Sequence, residues 1–479
     1  VIICQQLQIR YLWIDAICII QDSEEDWQSE SAQMLNVYGN AYLTLMAASA
    51  EDENAPILTS RNSSECDADL HQLNLTIGRE NCHFIVTNRG YVENEPDYLQ
   101  DRAWCFQEEI ISTRKLYIFA NQINWICLET TWSEGYHGLD DLPDSSWSEE
   151  FHSLDDWLDS DPRSLQRLYN SVMSTSIAKP ELGRMISVWN EVVQQYTARE
   201  LTKPSDKLVA LSGIANAFNQ GRTDQYLAGI FREHLPCALL WQRSKKKWNK
   251  THTEYLGPLG YLSAPLDGKY RAPSWTWASL DGRIDMLHAA PHLAKPLCVV
   301  VEASTSLALR DPYGQILDGH LKIEGRLIRA TVGEPRSTPE AFSNWGLERE
   351  LLDKDGVPIH QPESREVKIL GPYGDVTYSN IIAPTIFHPD CEPPDKETTV
   401  YCLPIMARMG LVLVPIQNNG SSESSFRRIG VYELFKTRNA PDVPLEKLPN
   451  DLDLLGWYIH PLSPRAWLKD AQECTIVIR

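Results

Sequence analysis

The stretch YLWIDAICIIQDSEEDWQSESAQMLNVYGNAYLTLMAAS, Tyr11 to Ser49, decides how the N-terminal part of this 479-residue chain is read. Tyr11 to Ile14 is apolar without alternation, as expected of a strand covered on both faces of a parallel sheet. Asp15 ends it. Ser23 then stands as a helix cap, with Glu24, Glu25 and Asp26 against the positive end of the helix dipole. This helix is expected to run to about Tyr38. Ala41 to Ser49 reads as a second strand, reached through Gly39 and Asn40. Strand, helix and strand in this order predict an α/β unit with a parallel sheet.

Working outward, LNLTI and HFIVT flank Gly78 to Asn81 as a hairpin. DRAWCFQEEI, Asp101 to Ile110, reads as a short helix with Asp101 as its cap, and KLYIF and INWICL pair across Ala120 to Gln122. Between Leu116 and Pro162 there is no Lys or Arg while acidic residues crowd, which marks an acidic linker or flap. Leu182, Met185, Ile186, Trp189, Val193 and Tyr196 recur at helical spacing, and SDKLVALSGIANAF is a second helical segment. After about Pro273 the pattern becomes alternating, separated by Pro, Gly and Asp. The expected architecture is therefore an α/β N-terminal domain over 1–129 and a linker or flap over 130–165. A helical region over 166–272 and a β-rich C-terminal region over 273–479 follow.

The formal charge of −21 repels phosphates over long range, so nucleic acid is disfavoured as a partner. Arg243 to Lys250 is the basic cluster and reads as a solvated loop. No apolar run of about 18 residues is present, so no membrane span is expected. Eleven cysteines without a C-x-x-C pair argue for reduced thiols and a cytoplasmic protein, and against a zinc site or any other metal. His288 and His292 are separated by Pro291, which opposes a helical metal face. Ser112 to Lys115 is S-x-x-K in letters alone. Glycine-rich phosphate loops and nucleophile elbows are absent.

Polar residues at core phases are more informative. A step of about 100° per residue puts Trp27, Met34, Val37 and Tyr38 on one stripe of the first helix, and Glu30 falls among them. A carboxylate there needs a partner. It is expected to make a structural ion pair or to serve a site. In DRAWCFQEEI the same wheel puts Trp104, Phe106, Ile110 and Ile111 on the apolar arc with Gln107 inside it. Glu108 falls at the Trp104 edge, where an apolar wall can tune its pKa, and Glu109 on the polar face, in solvent. Asp15 follows a strand, where open α/β sheets bind ligands, or caps its own turn. Cys18 reads as a packed thiol.

These blocks, W-I-D-x-x-C-I-x-Q from Trp13, W-x-x-E-x-x-x-M-x-x-V-Y from Trp27 and R-x-W-C-x-Q-E from Arg102, resemble the fungal heterokaryon incompatibility (HET) domain. Later segments, among them YRAPSWTWASLDG and RRIGVYE, resemble the extension that commonly follows it. The family's usual opening, approximately A-L-S-Y-x-W-G, precedes the first residue here, so the domain is expected to lack its first strand. Cys105 stands where the family usually has Thr. The resemblance implies nonself recognition and programmed cell death, protein partners that include further copies of the chain, and no cofactor. It also implies likeness to Toll/interleukin-1 receptor (TIR) domains, some of which hydrolyse NAD. Trp104-Cys105-Phe106-Gln107-Glu108 has the W-C-x-x-E spacing of plant-type members, which carries the catalytic role to Glu108. By the same resemblance Asp15 and Arg102 contact the substrate's ribose or phosphates, and Glu30, Trp104 and Gln107 support them. The competing readings are a non-enzymatic interaction or regulatory module and a degenerate, inactive paralogue.

Overall fold

The computed structural model describes residues 1–58, 70–77, 80–87, 97–134, 182–244, 268–286, 296–336, 364–369, 385–391, 394–406, 409–416, 424–434 and 472–479, leaving aside 53, 121, 223 and 396. The acidic stretch beyond 134, the basic run beyond Ser244, and His288 and His292 lie outside the described residues.

Helix α1 (Ile2–Gln6) and the single turn α2 (Asp15–Cys18) precede α3 (Glu24–Gly39). The α3 start follows its sequence: Ser23 Oγ accepts from the Asp26 N–H at 3.2 Å, and the Asp26 carboxylate accepts from the Ile20 N–H at 2.8 Å. One helix-entry donor is thereby satisfied, and the preceding loop is tied to the first turn. Strand β1 (Thr44–Met46) is followed by the antiparallel hairpin of β2 (Leu70–Ile77) and β3 (Glu80–Thr87). Then come α4 (Ala103–Ile111), β4 (Arg114–Ile118), β5 (Ile123–Cys127) and β6 (Thr131–Ser133). The sheet order is β1-β4-β5-β6, with β1 parallel to β4 and the remaining pairs antiparallel. The N-terminal part is therefore α/β with a mixed sheet, parallel at β1–β4 and antiparallel beyond it, where β4 and β5 form the expected hairpin.

Two sequence expectations fail here. Tyr11 to Ile14 forms no strand: Tyr11 is 81% exposed, and Leu12 and Ile14 are exposed as well. A strand needs a neighbour to take its N–H and C=O groups, and among the described residues none lies beyond β1 at that edge. Asp101 does not cap α4 either. Arg102 occupies the cap position with no side-chain bond, while the Asp101 carbonyl accepts from Glu200 N–H and the Glu200 carbonyl accepts from Ala103 N–H. A distant backbone segment thus does the work a cap side chain would do.

Helix α5 (Leu182–Thr197) buries Met185, Ile186, Trp189, Val193 and Tyr196 of its expected face, whereas Leu182 at its first position is exposed, and α6 (Val209–Phe218) packs against α3 and α4. The rest of this part is made of short strands, β7 (Tyr226–Leu227), β8 (Ile230–Phe231), β9 (Trp241–Arg243) and β10 (Ile284–Met286), with intervening 3₁₀ turns. The indoles of Trp189 and Trp277 both donate to the Gly229 carbonyl, at 2.9 and 3.0 Å. Gly229 has φ +103°, and a Cβ there would lie 2.7 Å from the Trp277 ring, so glycine is required.

The C-terminal part contains β11 (Val299–Leu307), β12 (Ile316–Arg336), β13 (Ser364–Ile369), β14 (Thr385–Pro389), β15 (Thr399–Met406), β16 (Met409–Ile416), β17 (Ser425–Leu434) and β18 (Gln472–Ile478). Pairing runs β12-β13-β14-β17-β16-β15 and returns to β12, so the strands close on themselves and leave few free edges. Ile328, Ala330, Val400, Cys402, Val412 and Tyr432 fill a core among these strands. The fully buried Arg428 of β17 ties them to the middle of the chain. It makes a two-point pair with Asp390, donates to the Leu239 and Trp241 carbonyls and lies over the Trp241 ring. A second, larger core runs from Phe106 and Ile110 of α4 through α5 and α6 to β12 and β16.

Candidate functional site

The candidate site is built on α4, held by its apolar face. Ala103, Phe106, Ile110 and Ile111 are buried, and Phe106 packs on Tyr196 with ring centroids 6.0 Å apart. Gln107 is fully buried, as the wheel predicted. Its Oε1 accepts from the Gly213 N–H of α6 at 2.7 Å, and a Cβ on Gly213 would meet that oxygen at 2.7 Å. Trp104 is half-buried, edge-on to Trp27 at 6.1 Å, with its indole N–H 3.4 Å from Asp206 Oδ2. At the helix end Ser112 Oγ donates to the Glu108 carbonyl and bonds Thr44 Oγ1, and the Lys115 ammonium donates to the Glu109 carbonyl. The S-x-x-K pair thus closes a helix terminus.

Glu109 is not in solvent, contrary to the wheel. Its Oε2 lies 2.8 Å from Arg199 Nη2, and its Oε1 accepts from the Tyr117 hydroxyl at 2.8 Å. Burial alone would raise its pKa, but the charges of Arg199 and Lys115 and these hydrogen bonds outweigh burial and hold it below the usual carboxylate range. Asp97 nearby is pushed up to about 6 by burial and then by the charge of Glu109. Burial pushes Lys115 down to about 8 against the pull of Glu109. The wheel failed because it describes one helix alone, whereas β4 and the Arg199 segment both cover the side it assigned to water.

Glu108 is half-buried and, among the described residues, in no ion pair. Tyr38, Asp15 and Arg102 lie within electrostatic reach of its carboxyl. Burial pushes its pKa up to about 7; the like charge of Asp15 adds to this, while the Tyr38 hydroxyl and the charges of Arg102 and Arg199 oppose it. The Tyr38 hydroxyl is in turn raised by burial and by Glu108. Cys105, buried on the same helix, is raised to about 12 by burial and the Glu108 charge, which keeps it a thiol.

The structure therefore brings together Asp15, Arg102 and Glu108, with Trp104 and Gln107 on the same helix. Asp15 is exposed and its Oδ1 accepts from the Ala16 N–H at 2.8 Å, starting α2. Arg102 is exposed. Glu30 is half-buried but has no cation partner among the described residues, so the expected ion pair is absent: at the margin of α3 water can solvate it. Cys18 is exposed rather than packed, because the strand meant to bury its surroundings does not form. Tyr38, Arg199 and Tyr117 were missed. Tyr38 lay on the predicted stripe and had a signal as a polar tip at a core phase; Arg199 and Tyr117 had none.

Residues 1–108 match the family model described as Heterokaryon incompatibility protein (HET), and the matched segment ends on Glu108. No curated protein and no solved structure matches the chain.

Proposed function

We propose that this chain acts in fungal nonself recognition and programmed cell death, and that its HET domain does so by TIR-like hydrolysis of NAD with Glu108 as the catalytic residue. The observation that carries this reading is the placement of Glu108: half-buried on α4 and, among the described residues, in no ion pair, with burial pushing its pKa up to about 7. The parallel β1–β4 pair, with Glu109 of α4 bonded to Tyr117 and Lys115 of β4, supports a TIR-like arrangement.

In the reaction the bond between ribose C1′ and the nicotinamide nitrogen breaks, and its electron pair leaves with neutral nicotinamide. Positive charge develops on the ribose, which a fixed carboxylate stabilises. Water then adds at C1′ and loses a proton, giving ADP-ribose, and a carboxylate with a pKa near 7 is matched to accept that proton. Arg102, an exposed cation at the entry of α4, suits a phosphate, and Asp15 suits a ribose hydroxyl. NAD is the substrate, the compartment is the cytoplasm, and neither a metal nor a resident cofactor is invoked.

The test is nicotinamide release from NAD by the folded protein and by Glu108→Gln. Equal release sinks the assignment. A second reading, a non-enzymatic module that binds protein partners or further copies of this chain, is favoured by the exposed apolar side chains of Tyr11, Ile14, Ile17, Ile20 and Tyr42. Absence of any nicotinamide release from the unaltered protein would select it.

A further inference from the structure

Strands β11 and β12 pair antiparallel, and their register sets Ser304 directly across from His320. Among the described strands β11 pairs with β12 alone, so it stands at an edge of the sheet. Side chains alternate between the two faces of a strand. Ala303, Leu321 and Ile323 are buried toward the core, which leaves Glu302, Ser304, His320 and Lys322 on the outer face. There the Ser304 hydroxyl lies 3.2 Å from His320 Nδ1, and His320 Nε2 lies 3.2 Å from Glu302 Oε1. Serine, imidazole and carboxylate stand in one line of hydrogen bonds at the surface.

The polarity of this line follows from its carboxylate end. An ionised carboxylate can only accept, so the ring nitrogen facing Glu302 carries the proton. Nδ1 of the neutral ring is then left to accept from the Ser304 O–H. Hydroxyl to imidazole and imidazole to carboxylate is the direction in which a base draws the proton from an attacking serine. No linear motif marks the arrangement, because Glu302 and Ser304 lie two apart on one strand while His320 comes from the next.

We propose that Ser304, His320 and Glu302 form a second reactive site that hydrolyses esters of small acyl groups, independent of Glu108 and of NAD. Ser304 Oγ bonds the ester's carbonyl carbon while its proton passes to His320 Nδ1. Lys322, diagonal to Ser304 across the strand pair, adds positive charge on the same face for the oxyanion that forms. The bond to the alcohol then breaks, and the alcohol leaves with the proton held by His320. Water, deprotonated by the same nitrogen, splits the acyl-serine into the carboxylic acid and free Ser304. Glu302 acts through His320 and is the positioning residue: it keeps Nδ1 turned toward Ser304. An open sheet face suits a small acyl group better than a long chain that needs enclosure.

The full chain is treated with diisopropyl fluorophosphate, whose phosphorus takes the serine oxygen as fluoride leaves, and the modified residue is located by peptide mass spectrometry. Ser304 is expected to carry the phosphoryl group, at a rate about a hundredfold lower in His320→Gln, the size of a general-base contribution. Glu302→Gln, whose amide can donate to Nε2 and favour the opposite tautomer, slows labelling about tenfold, and Glu302→Asp recovers part of the rate. A carboxylate that only joined the two strands would move neither. Hydrolysis of 4-nitrophenyl acetate falls in the same order and drops to background in Ser304→Ala, with denaturant midpoints confirming that each variant is folded. An unmodified Ser304 in the unaltered protein, or equal labelling in His320→Gln, overturns the proposal.

Discussion

Glu108 and Glu109 leave one helix about 100° apart and enter opposite surroundings. Glu109 is closed in by Arg199, Tyr117 and the Lys115 ammonium, all supplied by elements after α4, and its proton is released early. Glu108 looks toward Tyr38 and Asp15, elements before α4, and keeps its proton until neutral pH. The difference teaches how two identical side chains are given separate work. A carboxylate saturated by cations and donors has no free energy left to gain from a ligand, whereas a desolvated one without a cation does. The family match ends between them, so Glu108 lies inside the matched segment and its neighbour outside.

The largest expected effect breaks the comparison on the Glu108 side. Glu108→Gln lowers NAD hydrolysis by about a thousandfold, the range for removing one preorganised transition-state group, with thermal unfolding at neutral pH no earlier than in the unaltered protein. On the other side, Glu109→Gln leaves Arg199 without its partner and costs stability on the order of 3 kcal/mol, measured by denaturant unfolding. That loss makes Glu109→Gln a poor activity control. If the two variants swapped outcomes, with Glu109→Gln inactive but stable, the assignment of roles would be reversed.

A smaller effect tests the helix that both acids share. Gly213→Ala places a methyl 2.7 Å from Gln107 Oε1 and 3.2 Å from Ile111, in the contact of α6 with α4. Overpacking of this kind costs about 2 kcal/mol. Because Gln107 precedes Glu108 directly, the displacement also degrades hydrolysis. Equal unfolding of Gly213→Ala and the unaltered chain by denaturant would show that α6 does not clamp α4.

How much of this was legible in the sequence follows from which forces are local. The start of α3 was readable because Ser23, Glu24 and Asp26 act within one turn, and the β-rich character of the C-terminal part because period-two alternation is a local signal; the closure of its strands, set by distant pairings, was not. Burial of Gln107 was readable because its neighbours on the wheel are apolar. The surroundings of Glu109 were not, since Arg199 comes from 90 positions downstream and Tyr117 from the following strand. Tyr11 to Ile14 misled for the same reason: apolar residues say that a stretch favours burial, but a strand exists only where a neighbour accepts its backbone bonds.

The smallest effect is a pH dependence whose sign separates the two acids. The folded pKa of Glu108, about 7, stands above its ordinary 4.5, so its contribution to stability is complete below pH 4.5 and is lost as the pH rises through 7. For Glu109 the folded pKa is lowered, so its contribution is present above 4.5 and lost as the pH falls below that value. Asp97, raised to about 6, adds a loss in nearly the same window as Glu108, and Lys115, lowered to about 8, loses stability as the pH falls through 8. The Glu108 share is therefore read as a difference. Between pH 5 and 8 the stability of Glu108→Gln gains on the unaltered protein by on the order of 1 kcal/mol, discounted because the side chain is only half-buried. Denaturant midpoints at several pH values measure it. A difference that stays flat over this window would mean that Glu108 ionises as freely as a surface acid, and the contrast with Glu109 would then rest on the Arg199 pair alone.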